Sequence, residues 1–167
     1  MVRNIIIFII LATGLFAVLL YARPAAQTEN LAAVSILQSE RGDLSAERLQ
    51  HDFGTISMKN GIVRTTFEIK NIGSEKVVLR KLYTSCMCTE ATLIIGASRE
   101  GPFGMPGHVS IETFNQEFNP NESAKIEVSF DPNAHGPAGV GKMERQILLE
   151  GVRGVLMTLN ISSVVTP

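Results

Sequence analysis

The chain has 167 residues, of which 45% are hydrophobic and 19% are charged, and its mean hydropathy is +0.18. Arg3 and Arg23 are the only charged residues among the first 23, so the remainder carries 13 basic and 16 acidic side chains, a net charge near −3. This mildly acidic remainder lacks the basic surface that nucleic acid binding requires, and its ~144 residues correspond to one domain. A nucleic acid partner is therefore excluded, and a single apolar block excludes a multi-span transporter.

The apolar block runs from Ile5 to Tyr21 without a charged residue. As a helix it would be about 25 Å long, slightly short of a ~30 Å hydrocarbon core, and Arg23 could snorkel to the interface. A cleaved signal peptide is the alternative, but its apolar region usually spans only about 7–15 residues. We expect residues 1–23 to form an uncleaved, single-pass membrane anchor with the C-terminal domain outside the cytoplasm. The alternative is secretion after signal cleavage.

Residues 24–48 are predicted to be a flexible tether, since Pro, Ala, Gln, Ser, Glu and Arg dominate there. Residues 49–167 are predicted to form the folded domain.

This domain shows the alternation of β-strands. In Gly61–Lys70 the side chains of Val63, Thr65, Phe67 and Ile69 face one way, and Ser123–Phe130 repeats the pattern. Five further strands are predicted at His51–Ile56, Val77–Tyr83, Thr89–Ile95, Arg145–Glu150 and Val155–Val164. About seven short strands without helical periodicity predict an antiparallel, immunoglobulin-like β-sandwich.

Two segments rich in Gly and Pro interrupt the strands, Gly96–Gly107 and His135–Gly141. Loops on a rigid scaffold often carry binding residues, although connections between two sheets need the same residue types. Both segments are predicted to be loops.

The most distinctive motif is Cys86-Met87-Cys88. In a regular strand, residues two apart lie on one face with their α-carbons ~6.5–7 Å apart, whereas a disulfide needs about 4.4–6.8 Å. A disulfide here would require a bend at Met87 and would be strained and easily reduced. A free thiol pair, a strained disulfide, a metal pair and two buried core cysteines all remain open.

Soft ligands occur elsewhere in the chain. The side chains of Met87, Met105 and His108, together with the two cysteines, suit Cu(I) better than Mg²⁺ or Ca²⁺.

We assign local structural roles to the other histidines: a hydrogen bond to Asp52 for His51 and backbone capping for His135. No nucleophile elbow, phosphate-binding loop or zinc protease motif occurs. The chain is therefore predicted not to be an enzyme and to need no cofactor, with copper as the alternative.

The order of several motifs resembles a known family. These motifs are His51–Ile56 (HDFGTI), Thr66–Gly73 (TFEIKNIG), Ser85–Thr89 (SCMCT), Asn119–Ser123 (NPNES) and Val128–Pro132 (VSFDP). In this order they are similar to the bacterial domain-of-unknown-function 1573 family (DUF1573) over about residues 49–163. The resemblance implies an exported immunoglobulin-like sandwich related to the ASH, major sperm protein and pilus chaperone modules, and no established enzymatic activity. The chain departs from the family pattern at Met87, where Gly is common, and in its long loop with Met105 and His108.

The leading hypothesis from the sequence is a membrane-anchored, extracytoplasmic module that binds an unidentified protein partner or acts as a scaffold. The alternative is a Cu(I)-binding or thiol-redox protein that uses Cys86 and Cys88, with Met87, Met105 and His108 as further candidate ligands.

Overall fold

The computed structural model describes residues 44–108 and 113–167, and within them ten strands form a β-sandwich. The strands are β1 (Leu44–Ala46), β2 (Gln50–Ser57), β3 (Val63–Asn71), β4 (Val77–Thr84), β5 (Thr89–Ile95), β6 (Ser98–Phe103), β7 (Gln116–Phe118), β8 (Ser123–Phe130), β9 (Gly141–Gly151) and β10 (Gly154–Thr166). Two short 3₁₀ helices span Met58–Asn60 and Gly136–Gly139.

The strands divide into two sheets of five. The first sheet has the order β1-β3-β8-β5-β6, and the second has the order β2-β10-β9-β4-β7. The predicted all-β sandwich is thereby confirmed. Its purely antiparallel character needs correction, because β2 and β10 pair in parallel from Asn160 opposite Gln50 to Thr166 opposite Ser57. These strands come from opposite ends of the domain, so no hairpin forces them to run in opposite directions.

Alternation along the central strands creates the core. Thr65, Phe67 and Ile69 of β3 are buried while the residues between them are exposed, as the sequence predicted. In β8 every second residue from Ala124 to Phe130 is buried and those between are exposed or half-buried, and Ile126 lies opposite Phe67 across the ladder. The largest fully buried side chains come from both sheets: Phe67, Phe118, Phe130, Ile69, Leu79, Leu82, Leu93, Ile126, Ile147, Leu149, Leu159 and Val128. The hydrophobic effect of burying them drives the two sheets together.

Three strands were not predicted. β6 lies inside the segment Gly96–Gly107 that was expected to be a loop; all of its residues except Phe103 are exposed, and backbone pairing with β5 forms it. β7 has only three residues. β1 also has three, and it pairs with β3 inside the range 24–48 that was predicted to be tether. A strand this short, or one exposed on both faces, leaves no apolar alternation to detect.

The expected membrane anchor at residues 5–21 lies outside the described residues. Within residues 44–108 and 113–167, no helix is both long and apolar enough to cross a membrane.

Candidate metal centre

The two cysteines lie in the turn between β4 and β5, so the triplet bends and does not continue a strand. Thr84, the last residue of β4, is fully buried, and its hydroxyl oxygen lies 3.0 Å from Cys86 O and 2.8 Å from Thr89 O. Thr89 N donates to Cys86 O at 3.1 Å and closes the turn. Both thiols are free and buried, and Cys88 N points at Cys86 Sγ from 3.4 Å.

Backbone hydrogen bonds hold this turn against two neighbouring strands. Ser85 N donates to Gln146 O of β9 at 3.0 Å, and Gln146 N donates to Ser85 Oγ at 2.9 Å. Asp131 N, just after β8, donates to Cys88 O at 2.9 Å. The cysteine turn is therefore fixed between the end of β8 and the middle of β9.

His135 reaches the cysteines from the segment that joins β8 to β9. Asp131 Oδ1 accepts a hydrogen bond from Asn133 N at 2.8 Å, and Gly136 N donates to Asn133 O at 2.9 Å, so the chain turns back immediately after β8. This turn brings His135 Nε2 to 3.1 Å from Cys86 Sγ. Gly139 packs closely against His135, since a β-carbon at position 139 would lie 3.3 Å from His135 Cβ.

Cys86 Sγ, Cys88 Sγ and a ring nitrogen of His135 all lie within 4.8 Å of one another. Metal–ligand bonds of ~2.0–2.3 Å allow one ion to contact three ligand atoms separated in this way after only small side-chain movements. The two cysteines are buried and His135 is exposed, so an ion held here would be open to solvent on one side.

Arg145 of β9 completes the cluster. Its Nε donates to Cys88 Sγ at 3.3 Å, its Nη1 donates to Glu144 O at 2.8 Å, and its Nη2 lies 3.6 Å from Met143 Sδ. Residues 143 and 145 project to the same side of β9 because side chains alternate along a strand.

The cluster makes the two thiols unequal. Burial raises the pKa of Cys86, but hydrogen bonds from Cys88 and His135 and the positive charge of Arg145 outweigh it and lower the pKa to about 7. Burial and the hydrogen bond with Cys86 raise the pKa of Cys88. Burial also lowers the pKa of Arg145, but the hydrogen bond to Cys88 and the charges of both cysteines outweigh it, so the pKa is raised overall. Near neutral pH the site thus holds a thiolate beside a guanidinium.

The structure brings together only some of the ligands predicted from the sequence. Cys86 and Cys88 share the cluster, and Met87 between them is 48% exposed. Met105 is half-buried and follows Gly104, whose carbonyl accepts a hydrogen bond from Thr84 N at 3.1 Å, and it stays a predicted ligand. His108 is exposed and does not belong to the group of ligand atoms within 4.8 Å.

His135 supplies the imidazole instead. The sequence analysis gave it a capping role, but it makes no side-chain capping hydrogen bond to the helix that it precedes. The strand pairing of the folded domain brings it there, because Phe130 at the end of β8 lies opposite Thr89 at the start of β5. His135 is the fifth residue after Phe130, so it can reach the turn that carries the two cysteines. The sequence also did not identify Arg145 as a residue of the site, because a charged residue in a predicted strand is expected to face solvent.

Solved structures were compared with this domain, and the first two matches below agree with the sandwich fold. The crystal structure of a protein of unknown function from Porphyromonas gingivalis W83 matches with a TM-score of 0.52 and 13% identity, over 74% of this chain and 46% of that one. The secreted serine protease VesC from Vibrio cholerae matches with a TM-score of 0.50 and 12% identity, over 79% of this chain and 25% of that one. An ASH/PapD-like domain of human CEP192 matches with a TM-score of 0.42 and 10% identity, over 75% of this chain and 87% of that domain.

The chain spans less than half of the length of the first two proteins, and at these identities the likeness concerns the fold alone. No curated protein sequence matches the chain. A family comparison does give a match, over residues 44–101, which include the first three motifs of the predicted resemblance and both cysteines. Over these residues the chain matches the family described as "Protein of unknown function (DUF1573)", which confirms the resemblance seen in its motifs.

Proposed function

We propose that this protein binds Cu(I) through Cys86, Cys88 and His135, in a domain that stands outside the cytoplasm on a membrane anchor formed by residues 1–23. The observation that carries the proposal is the convergence of two sulfur atoms and one imidazole nitrogen within 4.8 Å. We further propose that the protein binds the ion and does not catalyse a reaction.

The chemistry of the ligands favours a soft ion. Thiolates prefer Cu(I) and Zn(II) to hard cations, and imidazole suits both ions. Cys86, with a pKa of about 7, offers a thiolate near neutral pH without a large cost of deprotonation. Three ligands with one open side are enough for an ion that accepts low coordination numbers.

Competition for Cu(I) tests the proposal. The full chain, reduced and purified without oxygen in detergent, is titrated against the Cu(I) chelator bicinchoninate. We expect one equivalent to bind, Cys86→Ser/Cys88→Ser to abolish binding, and His135→Gln to weaken it at least about tenfold, a loss of about 1.4 kcal/mol. His108→Gln is the matched control and should bind as the wild type does. If the wild type gives up all its Cu(I) to the chelator, or the double serine variant retains it, the proposal fails.

Thiol–disulfide exchange is a second candidate, because one thiol of the pair has a lowered pKa and the other a raised one. The Cys86 thiolate would attack a disulfide and form a mixed disulfide while one thiolate leaves. Cys88, after losing its proton, would then attack Cys86 Sγ and release the second thiol. Incubation with oxidised glutathione distinguishes the two candidates: exchange predicts the loss of two thiols without added mass, whereas a metal site predicts protection of both thiols by Cu(I).

Recruitment of a protein partner is the other candidate that the fold favours. β6 lies at the edge of its sheet and is exposed except at Phe103, so an extended segment could add beside it. A photo-crosslinking residue at Glu100 should then capture one protein in membranes, and the same residue at the exposed Val152 should not. Equal capture at both positions would argue against strand addition.

The membrane anchor has its own test. Intact mass of the protein from the membrane fraction should equal the mass of the full 167-residue chain. Recovery of a shorter protein that begins near residue 24 would instead support signal cleavage.

A further inference from the structure

We infer that Arg145 sets the charge of the ion that this site accepts, so that the site takes a monovalent ion and rejects Zn(II). The inference rests on the proposed function. Soft ligands alone would accept Cu(I) or Zn(II), and Arg145 gives the site its preference between these two ions. It starts from one contact, in which Arg145 Nε donates to Cys88 Sγ at 3.3 Å.

Arg145 differs from the cations that form ion pairs in the described part of the chain. Those cations each contact a carboxylate: Lys76 with Glu117, Lys81 with Glu150, Arg99 with Glu127, Lys125 with Glu68 and Lys142 with Glu144. Arg145 contacts a thiol, a main-chain carbonyl and a thioether instead, and no carboxylate pairs with it within residues 44–108 and 113–167. The groups beside its guanidinium that can become anions are the two cysteine thiols.

The position of Arg145 is fixed by the sheet. Its backbone lies opposite Ile161 of β10, in the middle of the ladder between β9 and β10. Three acceptors hold its guanidinium, so the group cannot leave the thiols without giving up hydrogen bonds. Its charge therefore stays beside the sulfurs when an ion binds.

The charges of the ligands and of Arg145 indicate why the site prefers a monovalent ion to Zn(II). When both cysteines bind the ion as thiolates they carry −2, an imidazole bound through its nitrogen lone pair carries none, and Arg145 contributes +1, so the bound ion meets a net charge of −1. A monovalent ion makes the site neutral, whereas Zn(II) leaves one positive charge beside two buried cysteines. Uncompensated charge next to buried groups is costly, because the interior screens it poorly.

The test compares ions and variants in the full chain. Cu(I) affinity is measured against bicinchoninate, and Zn(II) affinity is measured against a chromogenic zinc chelator, for the wild type, Arg145→Met and Arg145→Lys. Outer contacts to a ligand typically change metal affinity by about 10–100-fold. We expect Arg145→Met to raise Zn(II) affinity much more than Cu(I) affinity, so that the ratio of Cu(I) affinity to Zn(II) affinity falls at least about tenfold. Arg145→Lys keeps the charge and should keep most of the preference.

Lys142→Met is the matched control. It removes an exposed cation from the same strand, and that cation pairs with Glu144 at 3.4 Å. The control should leave the ratio unchanged. An unchanged ratio in Arg145→Met with intact Cu(I) binding would overturn the role of Arg145 and leave the proposed function standing. A wild type that binds neither ion would overturn both. If Arg145→Met does not fold, Arg145→Gln gives the same comparison with a side chain that can still donate a hydrogen bond.

Discussion

Cys86 Sγ and His135 Nε2 lie 3.1 Å apart although 49 residues separate them in the sequence. The turn after β4 carries the cysteine, and the turn after β8 carries the histidine. Both turns lie at the same end of the sandwich because β5 and β8 pair antiparallel, with Thr89 opposite Phe130. The site therefore depends on the register of one pair of strands.

The first prediction concerns the ionisation of the cysteines. The pKa of Cys86 is lowered to about 7 by its hydrogen bonds and by Arg145, so its thiolate should form as the pH rises through about 7. Burial and the hydrogen bond with Cys86 raise the pKa of Cys88, so its thiolate should form at a higher pH than that of an ordinary cysteine. Thiolate absorbance at 240 nm in the metal-free protein should show two separate steps.

Two variants assign the steps. Cys86→Ser should remove the step near pH 7, and Arg145→Met should move it to higher pH because the stabilising charge is lost. A single step above pH 8 in the wild type would contradict the geometry of the cluster.

The second prediction concerns Gly139, which packs behind His135. A β-carbon at this position would lie 3.3 Å from His135 Cβ and 3.4 Å from Pro132 O, so Gly139→Ala should displace the imidazole. We expect Cu(I) affinity to fall by about tenfold, as for other residues that orient a ligand, and global stability to change less. Chelator competition measures the affinity. Ala138→Ser, an exposed change in the same short helix, should have no effect; an equal loss in both variants would refute the positioning role of Gly139.

The third prediction concerns Asn71, which is fully buried at the end of β3. Its Nδ2 donates to Glu75 O at 2.8 Å and to Phe118 O at 3.0 Å, and its Oδ1 accepts from Gly73 N at 3.0 Å. Asn71→Asp replaces the donor with an anion that faces two carbonyl oxygens. We expect a loss of about 1–3 kcal/mol in the free energy of unfolding, or more, at pH 7.

The pH dependence of this variant follows from the same contacts. Protonation would restore a donor, so the loss should become smaller as the pH falls towards about 4, the usual pKa of Asp. Urea unfolding at both pH values measures the difference. Asn60→Asp, at an exposed position, should cost little at either pH. Equal stability of Asn71→Asp and the wild type at pH 7 would show that the donor is dispensable.

The fourth prediction concerns the core. Phe67 is fully buried in β3, opposite Ile126 of β8. Phe67→Ala should lower the free energy of unfolding by about 3–5 kcal/mol, because it removes buried apolar surface and leaves a cavity. Ile72→Ala, where the side chain is 63% exposed, should change it by less than about 0.5 kcal/mol. Urea unfolding of both variants checks the contrast, and similar losses would mean that Phe67 is not in the core.

The sequence predicted the strands whose two faces differ. β3 and β8 alternate because each has one face in the core and one in solvent, so period two appears directly in the residue types. β6 is exposed on both faces, and β1 and β7 have three residues each, so no alternation marks them. These three strands form by pairing with neighbouring strands, through backbone hydrogen bonds that do not depend on side-chain identity.

For the candidate site, the sequence by itself identified the two cysteines as a pair of candidate ligands. Their spacing is local, and the preference of sulfur for soft metal ions is a property of the residue type. It also determined the acidic, all-β character of the domain and its division into half-buried strands. Only the tertiary structure decided which imidazole joins the thiols and which cation balances them. His135 and Arg145 contact the cysteines across 49 and 57 residues. Such contacts arise from strand order and register, which long-range packing fixes and no local pattern encodes.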